Sequence, residues 1–203
     1  MFYRPGLDAH GLPHDPFKAL ISPRPIGWIS TLDTTGRANL APYSFFNAVA
    51  DKPPMLMFSS TGGKGATDEG KDTLANIRAR GEFVHHVVPM AMSDAMNVSS
   101  GSYPSDVDEF DLAGLEKASC EIVSVPRIAT ALAAFECRLW QIIDLPAQAS
   151  FLVLGEVVGI HIDPAILKDG MVDVTAYRPL SRLGYRDYAA VETVFALNRP
   201  GQA

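Results

Sequence analysis

The sequence is short of cationic charge, cysteine and long apolar runs, and each shortage removes a class of function. Lys and Arg number 17 against 23 Asp and Glu, a formal net charge of −6 over 203 residues. Such a chain generates no diffuse positive field, so neither a nucleic acid nor a membrane surface is expected as partner. Cys120 and Cys137 are the 2 cysteines. Lacking short-spaced companions, they fit a reducing, cytoplasmic setting better than a disulfide framework. The longest apolar stretches, such as 128–135 and 151–155, are far too short to span a bilayer. The opening Met1-Phe2-Tyr3-Arg4-Pro5-Gly6 has no basic region followed by an apolar run, so no signal peptide is expected.

Familiar catalytic signatures are missing too. The chain contains no GxxxxGK[ST] loop, no GxGxxG fingerprint and no GxSxG elbow. His85 and His86 are neighbours on a strand and point to opposite faces. Gly11 and Pro13 break any helix that would align His10 with His14. No other His or Cys grouping has metal-ligand spacing, so no metal site is expected.

What remains is ordinary globular composition, 47% hydrophobic and 20% charged. A single domain over 1–203 is expected, with an N-terminal arm at 1–22 and a C-terminal tail at 178–203. The 16 Gly and 15 Pro cut the chain into short elements. Ile26–Leu32 is rich in strand formers, Asp33-Thr34-Thr35-Gly36 supplies a turn, and Arg37–Ala41 returns. Further strands are predicted at Phe45–Val49, Met55–Phe58, Phe83–Val88, Ala131–Ile143 and Phe151–Ile162. A flexible glycine-rich loop is predicted across 59–70. A helix is predicted from an Asp72 N-cap to a Gly81 stop, with a short Met-rich helix after Pro89. Residues 99–115 read as irregular. With six or seven strands and no βαβ alternation, the expectation is an antiparallel barrel carrying a few short helices.

Two places in this plan concentrate chemistry. From Ser22 to Ser60, hydroxyl and amide side chains crowd in and beside strands, and 41–47 sets polar groups against aromatics. A planar ligand needs that mixture of apolar walls and fixed donors, although outward-facing polar positions give the same alternation. At Lys71-Asp72-Thr73 a helix start offers free N–H groups, a hydroxyl and an ammonium to a phosphate, or else a capped surface turn. Cys137 reads as a core residue, and Asp106–Glu109 as a solvated loop without EF-hand spacing. His161, ending a strand, is the one histidine placed where a site could use it.

The blocks Ser22–Thr31, Asn39–Asn47 and Lys52-Pro53-Pro54 resemble those of the flavin reductase-like, FMN-binding split-barrel family. The likeness continues through Lys71–Ile77, Gly81-Glu82-Phe83, Asp108–Leu115, Gly155–Val158 and Arg182-Leu183-Gly184, in family order over roughly residues 17 to 188. It implies a mainly β, antiparallel Greek-key split β-barrel with a few short helices, acting as a homodimer with FMN near the interface. It also implies a flavoprotein oxidoreductase in which NAD(P)H is a transient co-substrate delivering hydride to FMN. The alternative is an FMN-bound electron-transfer protein reduced by a partner, without NAD(P)H activity of its own. The resemblance carries the isoalloxazine contacts onto Trp28, Ser30, Thr31, Asn39, Ala41, Pro42 and Tyr43. It carries the phosphate contacts onto Ser44, Ser59, Ser60, Thr61, Lys71 and Thr73, and brings His161 towards the flavin. No residue is assigned as an acid or base, because the hydride step needs none. The sequence departs from the family by its extra glycines in 59–70 and by Tyr185, where a second glycine is usual and a ring narrows the cavity above the flavin.

Overall fold

The structure is a computed structural model that describes residues 1–63 and 70–201. Its helices are short: α1 (Phe17–Leu20), α2 (Asp72–Arg80), α3 (Ser93–Val98), α4 (Glu109–Leu112) and α5 (Val174–Tyr177). The strands of the first half are β1 (Arg24–Pro25), β2 (Gly27–Leu32), β3 (Ala38–Tyr43), β4 (Phe46–Asp51), β5 (Pro54–Thr61) and β6 (Glu82–His86). Those of the second half are β7 (Lys117–Ala118), β8 (Arg127–Ile128), β9 (Ala133–Asp144), β10 (Ser150–Ile162), β11 (Leu167–Lys168), β12 (Met171–Val172), β13 (Leu180–Arg182) and β14 (Tyr188–Ala190). Among the described residues no helix is long and apolar enough to cross a membrane.

Seven strands form the principal sheet in the order β3-β2-β6-β9-β10-β5-β4, and every neighbouring pair is antiparallel. The β2–β3 hairpin closes because the Asp33 carboxylate accepts the N–H groups of Thr35 and Arg37, both at 2.8 Å, an Asx turn that fixes the register of every residue after it. Strand order then reports curvature. Tyr43 on β3 and Phe58 on β5 belong to strands far apart in the sheet, yet their ring centroids are 4.7 Å apart. The sheet has therefore rolled up, and the mainly β architecture is a split barrel. Its inside is filled by Ile29, Leu56, Phe58, Phe83, Cys137 and Val153, with Leu74 and Ile77 of α2 plugging one end.

α2 buries Leu74 and Ile77 because a spacing of three places them on one face. It ends at Gly81, whose φ of 70° is a left-handed conformation that glycine adopts without strain. Lys71 occupies the N-cap position, one residue before the expected Asp72, and no side chain caps the helix. Gly155 is required for a different reason. A Cβ there would lie 2.4 Å from the Phe83 ring inside the barrel.

The opposite face of β2 and β3 carries a second core, in which Trp28, Leu40, Met96, Phe110 and Leu180 pack together. Segment 90–115 contributes Met96 and Phe110 to this core, with Met92, Ala95 and Leu115 packed against it, and it includes the stretch expected to be irregular. Within it α4 forms because Asp108 accepts the N–H of Phe110 at 2.9 Å, a capping signal that precedes a buried aromatic. The C-terminal tail is tied down in part: β13 pairs with both β1 and β14. Tyr185 adopts φ 55°, in the left-handed region that favours glycine. Its ring is 5.5 Å from that of His14 on the N-terminal arm.

Candidate functional site

Strand alternation sorts the sequence candidates into two sets. Gly27, Ile29 and Thr31 of β2 pair with Tyr43, Ala41 and Asn39 of β3, and this set faces the end of the barrel where α2 begins. Trp28 and Ser30 face the other way. Trp28 is fully buried and its indole Nε1–H donates to Ser99 Oγ at 2.9 Å. The Ser30 hydroxyl donates to the carbonyl of Pro126 at 2.7 Å.

Along β3, the end strand of the sheet, lies a cavity of about 100 Å³ lined from both sets. β3 contributes Asn39, Ala41, Pro42 and Tyr43, the start of α2 contributes Lys71 to Thr73, and the 99–103 loop with Glu109 closes the far side. A neighbouring cavity of about 170 Å³ shares Pro42 and Ser100 with it and is lined by Ser44. Of the sequence candidates, Asn39, Ala41, Pro42, Tyr43, Lys71 and Thr73 converge on the first cavity and Ser44 on the second. Thr31 stands one layer behind. On β5, Ser60 is buried, Ser59 half-buried and Thr61 exposed, and the Ser59 N–H is used by the Phe45 carbonyl at 2.8 Å. His161 joins none of these; its Nε2 lies 2.6 Å from the Glu136 carboxylate. Part of the glycine-rich loop, residues 64–69, lies outside the described residues.

A polar network fixes the cavity wall. Glu109 accepts from the Asn39 side-chain amide at 2.8 Å and from the Leu40 N–H at 3.0 Å. With its NH₂ so committed, Asn39 presents its carbonyl oxygen to Thr73, whose hydroxyl donates at 2.8 Å. Asn76 in turn donates to the Thr31 hydroxyl at 3.0 Å. The amide orientation of Asn39 is thus set by chemistry, because a carboxylate can only accept. Burial holds the Glu109 carboxyl above its ordinary range, while the bonds from Leu40 and Asn39 oppose that shift. Sequence reading assigned Glu109 to a solvated loop and missed it. The available signal was Asp108 two residues before Phe110, a cap followed by an apolar anchor.

Two hydroxyls next to this wall lack good partners. Tyr43 Oη and Ser60 Oγ are buried and complete no hydrogen bond of good geometry among the described residues. Such groups are costly unless something satisfies them. Burial pushes the Tyr43 phenol up to about 12, with the Thr73 and Ser60 hydroxyls opposing the rise, so the phenol remains a neutral donor at physiological pH. The Lys71 ammonium stands 5.5 Å from the Tyr43 ring centroid, and burial lowers its pKa. Thr73 lies in the first turn of α2, where backbone N–H groups precede the helix's own hydrogen-bond ladder. The Asp72 carboxylate accepts from Ser105 Oγ at 3.1 Å. The site therefore offers one ammonium, a helix start, unsatisfied hydroxyls and a fixed amide beside aromatic and proline walls. This donor set suits an anionic, hydroxyl-rich ligand with a planar part.

A chain that closes such a cavity on a split barrel belongs to a recognisable class. Residues 20–181 match the flavin reductase like domain, and the chain belongs to that family. It is 38% identical over 170 residues to an uncharacterized protein of Aquifex aeolicus, covering 83% of this chain and 85% of that one. Nitrilotriacetate monooxygenase component B from Bacillus cereus has a similar structure, with a TM-score of 0.87 and 31% identity over 97% of this chain and 98% of that one. Pseudomonas fluorescens 2-nitrobenzoate 2-nitroreductase follows at a TM-score of 0.80, 29% identity and coverages of 91% and 89%. Flavoredoxin of Desulfovibrio vulgaris shares the fold at 22% identity, with a TM-score of 0.77 and coverages of 98% and 99%.

Proposed function

We propose that the protein binds FMN in this cavity and works as an NAD(P)H-dependent flavin reductase. The observation that carries the reading is the buried, under-satisfied hydroxyl pair of Tyr43 and Ser60 beside Lys71 and the uncapped start of α2. The residues present fit the group. Lys71, Thr73 and the first N–H groups of α2 would hold the phosphate, where the helix dipole favours negative charge. Tyr43 and Ser60 would gain partners from the ribityl hydroxyls. Asn39, Ala41 and Pro42 would border the ring system, with Ser44 at the mouth of the adjoining cavity. When bound, FMN supplies the hydride and electron chemistry.

The protein's own part is to bind, orient and exclude water. Asn39, locked by Glu109, keeps a fixed polar face that need not reorganise, the property that makes a polar wall effective in a low-dielectric site. We place the working form in the cytoplasm as a homodimer with the flavin near the interface. The family membership and the oxidoreductase names of the Bacillus and Pseudomonas neighbours support an oxidoreductase reading.

The test is the visible spectrum of the purified chain with added FMN, followed anaerobically after NADH or NADPH. Bound flavin that bleaches promptly is the expected outcome. Flavin that binds without bleaching moves the assignment to an electron carrier reduced by a partner protein. Asn39→Ala and Ser44→Ala are each expected to weaken FMN retention, Asn39→Ala by about tenfold, the cost of one well-placed hydrogen bond. Unchanged affinity in both would overturn the placement of the flavin.

A further inference from the structure

Away from the cavity, the fold assembles three metal-ligating side chains that are far apart in sequence. The Cys120 thiol, the Glu136 carboxylate and the His161 imidazole have donor atoms all within 4.8 Å of one another. β9 and β10 place the second and third together, since Glu136 pairs with Gly159 and His161 with Ala134 across the ladder. The 120–123 loop brings the first. Its amides at Glu121, Ile122 and Val123 donate to Glu136 at 2.9, 2.7 and 2.9 Å, and the same turn carries the Cys120 sulfur to that carboxylate. We propose that Cys120, Glu136 and His161 form a binding site for one divalent transition-metal ion of the zinc type, completed by water.

The ligand set suits such an ion. Thiolate, imidazole and carboxylate are the donors zinc takes, at about 2.0–2.3 Å, and three protein ligands leave a fourth position open. Glu136 is almost wholly buried, and its three amide bonds hold it as a carboxylate ligand is held by its surroundings in metal sites. His161 provides the bond that gives way. Its Nε2 and the Glu136 oxygen are 2.6 Å apart, and a tetrahedral ion between them would open that distance to about 3.3 Å. The ion would then stand where the hydrogen bond stands: the proton that makes that bond leaves Nε2, the ring keeps or takes its one proton on Nδ1, and the thiol proton is released to solvent. The His161 side chain is 23% exposed and Cys120 is half-buried, so the site can be reached. Sequence spacing could not reveal the site, because its members come from a loop and two paired strands.

The chain, stripped with a chelator, is titrated with Co²⁺ alone and then with Zn²⁺ alone. The expected result is a near-ultraviolet thiolate-to-cobalt band that saturates at one equivalent and is displaced by Zn²⁺. Cys120→Ser should abolish the band, and His161→Gln should weaken Zn²⁺ binding by roughly tenfold or more. No band in the wild type, or an intact band in Cys120→Ser, overturns the proposal. Alkylation of Cys120 in the wild type supplies the second readout should a variant fail to fold. Zn²⁺ should slow that alkylation, and an unchanged rate refutes the site.

Discussion

Acidification should destabilise this protein well above the pH at which carboxylates protonate, because two buried histidines are held neutral. His85 and His86 are 4% and 0% exposed. His86 Nδ1 lies 3.0 Å from the Trp28 carbonyl, and its Nε2 accepts the Ile128 N–H at 3.0 Å. The ring therefore carries its proton on Nδ1, and a second proton on Nε2 would break the bond from Ile128. His85 is stacked on Phe135 at 5.2 Å. Burial lowers His85 to about 3 and His86 to about 4. In the unfolded chain both titrate near 6.5. The unfolded state thus binds more protons below about pH 6.5, and stability falls as pH falls, by about 1.4 kcal/mol per pH unit for each ring. From about pH 7 to about pH 5 each ring costs roughly 2 kcal/mol, or about 4 kcal/mol together. That is a large part of the 5–15 kcal/mol typical of a domain. Glu109 works the other way. Its pKa is raised in the folded state, so protonation there favours the native form and offsets part of the loss. Glu136, held at about 2, contributes stability that is lost only below its unfolded value near 4.5. The upper window therefore belongs to the histidines. Urea unfolding near pH 7 and near pH 5, with linear extrapolation, measures the difference, and in His86→Gln the slope should halve whatever the variant's baseline. A loss below about 1 kcal/mol in the wild type, or an unchanged slope in the variant, would refute the reasoning.

Glu109→Ala strands the Leu40 N–H and the Asn39 amide, which should cost about 2–4 kcal/mol in a denaturant melt and weaken FMN binding with it. Gly155→Ala places a methyl 2.4 Å from the Phe83 ring. Overpacking there should lower stability by about 1–3 kcal/mol in thermal unfolding. Trp28→Phe removes the indole bond to Ser99 and should destabilise by about 1 kcal/mol. FMN affinity in that variant reports whether Trp28 acts on the site through the Ser99 loop.

The barrel was legible because its strands alternate clearly and its turns carry their own chemistry, as Asp33 and Gly81 do. Long strands such as β9 and β10 were anticipated to within one or two residues at each end. Legibility failed where structure depends on partners distant in sequence. Residues 99–115 show no periodicity, yet α4 forms because Phe110 has a second core to enter and Asp108 caps it. Glu109 reads as one of several surface acids until β3 is laid beside it. Trp28 and Ser30 share a motif with Thr31, but the pleat turns them to the other face. Tyr185 sits in a glycine conformation and packs towards His14 on the N-terminal arm. His161 and Cys120 fall 41 positions apart in the numbering, so only the β9–β10 register and the 120–123 loop reveal their proximity.

The central claim is that the cavity beside α2 holds FMN by its phosphate. It is tested most directly by fluorescence titration of the chain with FMN and with riboflavin, which lacks that phosphate, in the wild type and in Lys71→Ala. FMN should bind the wild type at least tenfold more tightly than riboflavin, a charge-assisted contribution of about 1.4 kcal/mol or more. Lys71→Ala should shrink that preference while leaving riboflavin binding unchanged. Equal affinity for the two flavins, or an FMN preference untouched by Lys71→Ala, would contradict the account.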